Sequence, residues 1–473
     1  MRHRIFPVPF FKQKKGYIMR KIQMKSYLGD KAFYKQVTCI ALPVMAQQFV
    51  TSFVNLIDNM MIGGVGQDAL TAVTVANRCY MLATSVIFGL TGAAGIFIAQ
   101  NYGAQKKERC QKFFNINLVF SLLIMLFFTV ILVAVPQWTL HVFTKTPEIV
   151  MLGLEYNSFV RFTYIPYGIS VTCMMAMRAI GLNKVQLKVG ALTVITNSAL
   201  NFILIYGHLG MPAMGVKGAA LATLIARLLE MGIYLTLLLR KTHFYRLDLR
   251  GMLRIDLEMA KDMMKKAIPL TANELIFSVG MSVIFKSYIR TDEHLVAAIS
   301  VVDTVMNMAF IIFGGLSSAI SIFIGGKLGA GKLKEAREEG KKIMLFALMV
   351  SVAIGFLMFC AAPFVHHLYN LSEDAQSALL SLLRIKSGLI PIYVFNVCTF
   401  FIFRAGGDTI STLIIDSGYL WAGPVLVSTV LSMFTSIGLV QLFLVVELLD
   451  LIKMYICLRL LKKGRWVRNL AVE

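Results

Sequence analysis

Charge is scarce in this 473-residue sequence: Asp, Glu, Lys and Arg make up 15% of it, against 57% for the hydrophobic residues. A chain so poor in charge cannot furnish a water-facing shell, which excludes a soluble globular protein. Acidic residues are the scarcer kind, 25 against 47 Lys and Arg, and the formal charge is +22. Arrangements that would carry catalysis are missing too. There is no HExxH, no GxSxG and no helix-borne Asp/His pair, so neither a metal-bound water nor an activated nucleophile is in sight and an enzyme is not expected. The seven cysteines, Cys39, Cys79, Cys110, Cys173, Cys360, Cys398 and Cys457, are scattered without metal-ligand spacing, the pattern of free buried thiols. Gly326-Lys327-Leu328-Gly329-Ala330-Gly331-Lys332-Leu333 comes near the phosphate-binding loop, but Leu333 stands where Ser or Thr must hold Mg²⁺, and an apolar helix precedes it instead of a strand. ATP drive is therefore not expected. His366 and His367 are adjacent and diverge by about 100° on a helix, poor geometry for a shared metal. Asn370-Leu371-Ser372 is a glycosylation sequon that matters only in a eukaryotic host. Residues 1–23 are basic and lack an apolar core long enough for a signal peptide, and Met1, Met19 and Met24 are each candidate start sites.

What the sequence has in abundance is apolar length. Windows of about 20 residues, enough to cross roughly 30 Å of hydrocarbon, recur near 36–62, 69–101, 114–138, 151–178, 186–207, 217–239, 264–286, 295–325, 343–363, 376–404, 409–432 and 438–458. Long continuous runs favour helices over a barrel, because each helix satisfies its own backbone in lipid. The expectation is an all-α polytopic membrane protein with twelve transmembrane helices. Of the 47 basic residues, 36 fall in alternate connections (1–31, 102–113, 178–188, 240–266, 327–342, Arg404 and 459–468), whereas the intervening connections hold only Lys145, Lys217, Lys286 and Arg290. The positive-inside rule then places both termini and the 240–266 loop in the cytoplasm. That topology accounts for the excess positive charge without nucleic acid.

The chain repeats itself at an offset of 226 residues. Pro43 faces Pro269; IFIAQNYGAQK at 96–106 faces IFIGGKLGAGK at 322–332; Arg178-Ala179-Ile180-Gly181 faces Arg404-Ala405-Gly406-Gly407. Six helices per half is an even number, so both halves enter the membrane in one orientation and are related by an axis along its normal. Such pseudosymmetry puts a cavity between two bundles that can rock. The expected organisation is a basic segment 1–35, a first lobe 36–240, a connecting loop 241–263, a second lobe 264–460 and a tail 461–473, all in one monomeric chain.

The ordered set of motifs resembles the multidrug and toxic compound extrusion (MATE) family of secondary transporters over about residues 35–460. The motifs are LIDNMMIGGVGQDALTA at 56–72, GAQK and GAGK at 103–106 and 329–332, MRAIGLNK and FRAGGDT at 177–184 and 403–409, TNSALNFILIYG at 196–207 and MGVKGAALAT at 214–223. The resemblance implies two six-helix lobes in a plasma membrane, in a bacterium, with no cofactor beyond the coupling ion. It also implies export of small, drug-like, often cationic organic molecules against inward flow of Na⁺ or H⁺.

Polar groups inside the apolar runs mark the candidate sites. A carboxylate at mid-bilayer costs about 2.5–3.5 kcal/mol on insertion scales, so one that is kept faces a cavity, a partner or an ion. Asp58 lies five residues before Gly63, and Asn201 lies six before Gly207, which sets both about 8–9 Å from their outer helix ends. Asn197 and Asn201 share a helix face. A carboxylate with two amide carbonyls offers hard oxygens suited to Na⁺, and the carboxylate alone suits a proton; the asparagines could equally be packing glue. The family resemblance adds that members place a coupling site at the positions of Asp58, Asn197 and Asn201, some with a second acid where Asn201 stands.

In the second half, Asn273 and Glu274 repeat Gln47 and Gln48, four and five residues past each proline. These four are the candidate cavity residues. An acid at 274 would attract cationic cargo or trade protons, or else form a salt bridge with a nearby Lys or Arg. Family members with an acid on the seventh helix carry it about one turn later, and an acid mid-way along the tenth would fall near Tyr393, which is not acidic. Glu230, Asp303, Asp416, Glu447 and Asp450 are also embedded, and Glu447, Asp450 and Lys453 read as a structural charge cluster. Two other functions stay open: a flippase for lipid-linked precursors, for which Arg78, Arg161, Arg227, Arg384 and Lys386 could serve, and a membrane-embedded enzyme.

Overall fold

The computed structural model of the chain describes residues 28–240, 245–292, 294–365 and 372–472. His366, His367, Asn370 and the candidate start methionines lie outside the described residues. Twelve helices cross the bundle and no strand forms among the described residues. The first six are α1 (Lys31–Gly63), α2 (Gln67–Gly103), α3 (Lys107–Ala134), α4 (147–179), α5 (Asn183–Tyr206) and α6 (Gly215–Leu239). The second six are α7 (Leu257–Thr291), α8 (Val296–Gly329), α9 (Leu333–Val365), α10 (Glu373–Ala405), α11 (Thr409–Phe434) and α12 (Leu439–Lys463).

Ten of the twelve are long and apolar enough to cross a membrane by hydropathy alone. The other two, read from sequence near 151–178 and 438–458, are interrupted by a break and by charge. A 3₁₀ turn at Arg161–Thr163 breaks α4 just ahead of Pro166, whose ring nitrogen cannot donate to the preceding turn; within the break the Thr129 hydroxyl on α3 donates to the Arg161 carbonyl at 3.4 Å. In α12 the apolar run carries Glu447, Asp450 and Lys453. α7 starts at Leu257, earlier than hydropathy predicts, because the Asp256 carboxylate caps it by accepting from the Met259 amide.

Two lobes follow, α1–α6 and α7–α12, each with its own apolar core. The lobes exchange their first helices at one end: Phe33 and Val37 of α1 are buried in the second lobe's core, and Met259 to Leu270 of α7 in the first lobe's. That end also carries the basic connections and the close of α12, and is called the basic end below.

The lobes meet there along a seam built from reciprocal pairs, each related to the next by the 226-residue repeat. Gly103 leaves no room for a Cβ against the Gly326 carbonyl, and Gly329 none against Gln100; Gly89 seats Thr271 of α7, and Gly315 seats Met45 of α1. Arg178 at the close of α4 donates from Nη2 to the Gly314 carbonyl at 2.9 Å and from Nε to the Ser318 hydroxyl. Arg404 at the close of α10 donates from Nη2 to the carbonyl of Phe88 at 3.4 Å, the repeat equivalent of Gly314. Both arginines, counted as loop charges from sequence, are turned inward between the lobes.

The opposite half of the bundle differs. From Ile87 to Asn101 α2 is almost wholly buried, as is α8 from Ile311 to Ile320, while the other halves of these helices are repeatedly exposed. Exposed polar side chains recur on those halves: Asn55 and Asn59 on α1, Ser278 and Ser282 on α7, Asp303 and Asn307 on α8. Clustered polar side chains with Asp303 among them are disfavoured against lipid, so we assign these exposed faces to a cleft between the lobes on the side away from the basic end.

Candidate functional site

Three helices of the first lobe converge on Asp58. The Asn201 side-chain amide on α5 donates to Asp58 Oδ1 at 2.8 Å. Asn201 itself is 2% exposed, and its Oδ1 has no partner. One turn back on α5, Asn197 donates to Thr223 Oγ1 of α6 at 3.5 Å, and Thr223 in turn donates to the Ala219 carbonyl at 2.9 Å. Ser198 adds a buried, unpartnered hydroxyl from the same turn of α5. The Tyr206 hydroxyl, donating to the Met61 carbonyl at 2.8 Å, ties the outer ends of α5 and α1 together and fixes their register. The three sequence-predicted coupling residues therefore lie on facing helices, with Asn201 directly on Asp58 and Asn197 directed to α6. Thr223 was not foreseen. It sits in the MGVKGAALAT motif, but nothing in a lone helical threonine marks it as a ligand until α6 is packed against α5.

Asp58, like Asp303 and Asp450, has no ion-pair partner among the described residues, whereas the other embedded acids do. Glu230 accepts from Arg227 at 2.7 Å, Asp416 from Lys453 at 2.9 Å, Glu447 from Lys386 at 2.6 Å, and Glu274 pairs with Arg404 at 3.5 Å. Among the described residues no ion pair reaches Asp58. A half-buried carboxylate bonded to one amide, beside a buried carbonyl oxygen with no donor, is a set of unspent oxygen ligands. The Asp58 carboxylate and the Asn201 carbonyl beside it are hard oxygen donors of the kind that suit Na⁺, with Asn197 and Thr223 bonded to each other one turn back along α5.

The four candidate cavity residues are placed differently from one another. Asn273 is 2% exposed and turned into its own lobe, where it donates to Asp416 Oδ2 at 3.1 Å and accepts from the Ser417 hydroxyl at 2.7 Å and the Ser417 amide at 3.3 Å. Gln47, its repeat partner, bonds Gln186 of α5 at 3.0 Å and Thr51 at 3.1 Å, again within its lobe. Gln48 lies over Gly314 of α8, across the seam. Glu274 also stands at the seam, at the head of the cleft, and takes the salt-bridge alternative through Arg404. Glu447 and Lys453 are paired with other helices and not with each other: Glu447 is held by Lys386 of α10, and Lys453 by Asp416 of α11.

A six-plus-six bundle with two interlocked halves, a seam at one end and an unpaired acid in the first half narrows the comparison with known proteins. The MatE family model matches residues 43–203 and 269–420, one block in each lobe. The chain belongs to the MatE family. It is a membrane transporter and not an enzyme. Its curated relatives include the probable multidrug resistance protein NorM of Thermotoga maritima, 22% identical over 89% of this chain and 91% of the relative. Another is the probable multidrug resistance protein YoeA of Bacillus subtilis, 23% identical over 85% and 88%. A MATE protein solved in complex with MaL6 superposes with a TM-score of 0.84 at 21% identity, over 93% of this MatE chain and 98% of that one. A multidrug resistance MATE transporter solved in an outward-facing conformation gives 0.83 at 20% identity, over 93% and 97%. These likenesses establish the twelve-helix, two-lobe fold.

Proposed function

We propose that this MatE protein is a secondary antiporter that exports amphipathic, cationic organic molecules in exchange for Na⁺ or H⁺, with Asp58 as the coupling group. The observation that carries the reading is the unpaired Asp58 carboxylate with the unpartnered Asn201 carbonyl oxygen beside it. The multidrug resistance names of the relatives support the cargo class. So does the cleft, whose polar positions include the acid Asp303 and adjoin the exposed, conformationally adaptable Met60, Met281 and Met308. The topology of basic residues supports a bacterial cell membrane with the basic end in the cytoplasm. On that orientation the closed seam faces inward and the cleft outward.

A cation entering from the open side neutralises Asp58 and draws the α5 and α6 oxygens toward α1. Because α1 carries Met45 and Gln48 into the seam against Gly315 and Gly314 of α8, occupancy of the ion site is transmitted along one helix to the contact between lobes. Ion and cargo then favour different lobe arrangements, which is the condition for exchange. The flippase alternative loses ground here, since Arg227 and Lys386 are neutralised by Glu230 and Glu447.

The test is a proteoliposome assay in which a fluorescent organic cation is followed while a Na⁺ or an H⁺ gradient is imposed separately. Efflux driven by one of the two gradients is the expected result. Movement that ignores both, or transport of a lipid-linked phosphate instead, overturns the reading.

A further inference from the structure

We propose that the segment following α12, Gly464–Val472, is a latch on the basic-end seam: it stays anchored in the second lobe and must release the first lobe each time that end opens. The proposal rests on the alternating-access reading given above. The segment crosses from one lobe to the other in a few residues. Trp466, 4% exposed, is buried in the core of the second lobe, while Leu470, 5% exposed, is buried in the core of the first, and Ala471 is fully buried. The Leu470 amide donates to Gln100 Oε1 of α2 at 2.7 Å, and the same Gln100 donates through Nε2 to the Ala405 carbonyl of α10 at 3.0 Å. Lys106 Nζ and Arg109 Nη1 both donate to the Ala471 carbonyl, at 2.7 and 2.8 Å. Asn469 holds the other side, donating to the Gly329 carbonyl at 3.2 Å.

The internal repeat has been altered where this segment lies. Ile180 in the first lobe becomes Gly406 in the second, and the Trp466 carbonyl occupies the space that a Cβ at 406 would need. Conversely Gly326 in the second lobe corresponds to Gln100 in the first, the residue that bonds both the segment and α10. In the first lobe the described residues after α6 stay in their own lobe, with Tyr245 buried in its core and bonded to the Ala176 carbonyl, so among the described residues the pseudosymmetric seam carries one asymmetric strap. Its second-lobe hold is covalent through α12 and apolar through Trp466. Its first-lobe hold is one apolar side chain plus three hydrogen bonds, two of them from cations at the rim where Lys106 is exposed. The first-lobe hold is the half that can exchange its partners with water.

The test is hydrogen exchange of the full chain in lipid nanodiscs, comparing wild type with the double variant Lys106→Gln, Arg109→Gln and with Leu470→Ala. Exchange is read in peptides spanning 97–106 and 322–332, on the two sides of the seam. Both variants should raise it by about tenfold, the factor expected for losing a charge-assisted bond or its equivalent, with α4 and α12 unchanged. Trp466→Ala should instead raise exchange across the second lobe. Unchanged seam exchange in the double variant, or a rise spread evenly over both lobes, overturns the latch. If Leu470→Ala does not fold, the two rim substitutions carry the test alone. The readout needs neither cargo nor gradient, so failure of the latch is distinguishable from failure of the antiport reading, which shows only in the efflux assay.

Discussion

Asp58 and Glu274 are both acids on the first helix of a lobe, Glu274 at the seam and Asp58 toward the other end, and their neighbours give them different surroundings. Arg404 holds Glu274 as one arm of the seam, whereas Asp58 has one amide donor and the unpartnered carbonyl oxygen of Asn201 beside it. Asp58→Asn should therefore leave the protein folded, with thermal stability equal to or slightly above wild type, because an unpaired charge is removed. It should abolish gradient-driven efflux of the fluorescent cation; efflux at the wild-type rate would move the coupling role elsewhere. Asn201→Asp adds a second charge to the same shell and should shift the preference between Na⁺ and H⁺ rather than destroy the site. Thr223→Val removes one neutral oxygen and keeps the shape. About tenfold weaker activation by the coupling ion, with maximal rate preserved, is the expected outcome in an ion titration. From sequence, Asp58 and Asn201 were legible because both stood at the same depth; Thr223 was not, since a threonine on an apolar helix is indistinguishable from one bonding its own backbone.

Helices show how far periodicity reaches and where it stops. All twelve spans were legible from apolar length, and the repeat of Pro43 as Pro269 revealed the two lobes before any contact was known. Departures from regular helix were not legible. Two π turns interrupt α11, at Ile414–Gly418 and Trp421–Val425, and widen the backbone spiral so that amides lose their usual acceptors. The first is repaired by Asn273 of α7, whose side chain takes the Ser417 amide and hydroxyl and also donates to Asp416. Asn273 looked like a cavity residue because polar residues flanking a helix proline often line one; its burial shows it splinting a neighbour instead. Asn273→Ala would leave the Ser417 amide and one Asp416 oxygen without partners inside the lobe. A loss of about 2–3 kcal/mol follows, readable as a lower melting temperature with the coupling ion's apparent affinity unchanged.

For the whole molecule, the seam and the cleft define a single conformation, closed at the basic end and open at the other. Cysteines introduced in place of Asn59 and Asn307, in a background lacking Cys39 and Cys360, should react with a membrane-impermeant maleimide added to the face opposite the basic end. Cysteine in place of Ala99, which is 2% exposed and faces Gly325 across the seam, should stay protected from both faces. Labelling of Ala99→Cys from the basic side would mean that the closed seam is not the resting arrangement. The pseudo-twofold relation itself was legible from the constant offset, because duplicated halves keep their spacing. The departures from it, Ile180 against Gly406 and Gln100 against Gly326, carry information only once the strap that fills the difference is seen.

The main-chain contacts of Gly103 with Gly326 and of Gly329 with Gln100 act as electrical insulation. A membrane that stores energy as an ion gradient tolerates an exchanger only if no continuous file of water threads it between cycles, and a seam of side chains leaves gaps that fluctuate. Backbone laid against backbone leaves none. A methyl group at either glycine would hold the two ends apart, so Gly103→Ala should turn a tight transporter into a leak. Liposomes carrying this variant should lose an imposed ion gradient in the absence of any cargo, while wild-type liposomes hold it; equal retention would mean that the barrier lies elsewhere in the bundle.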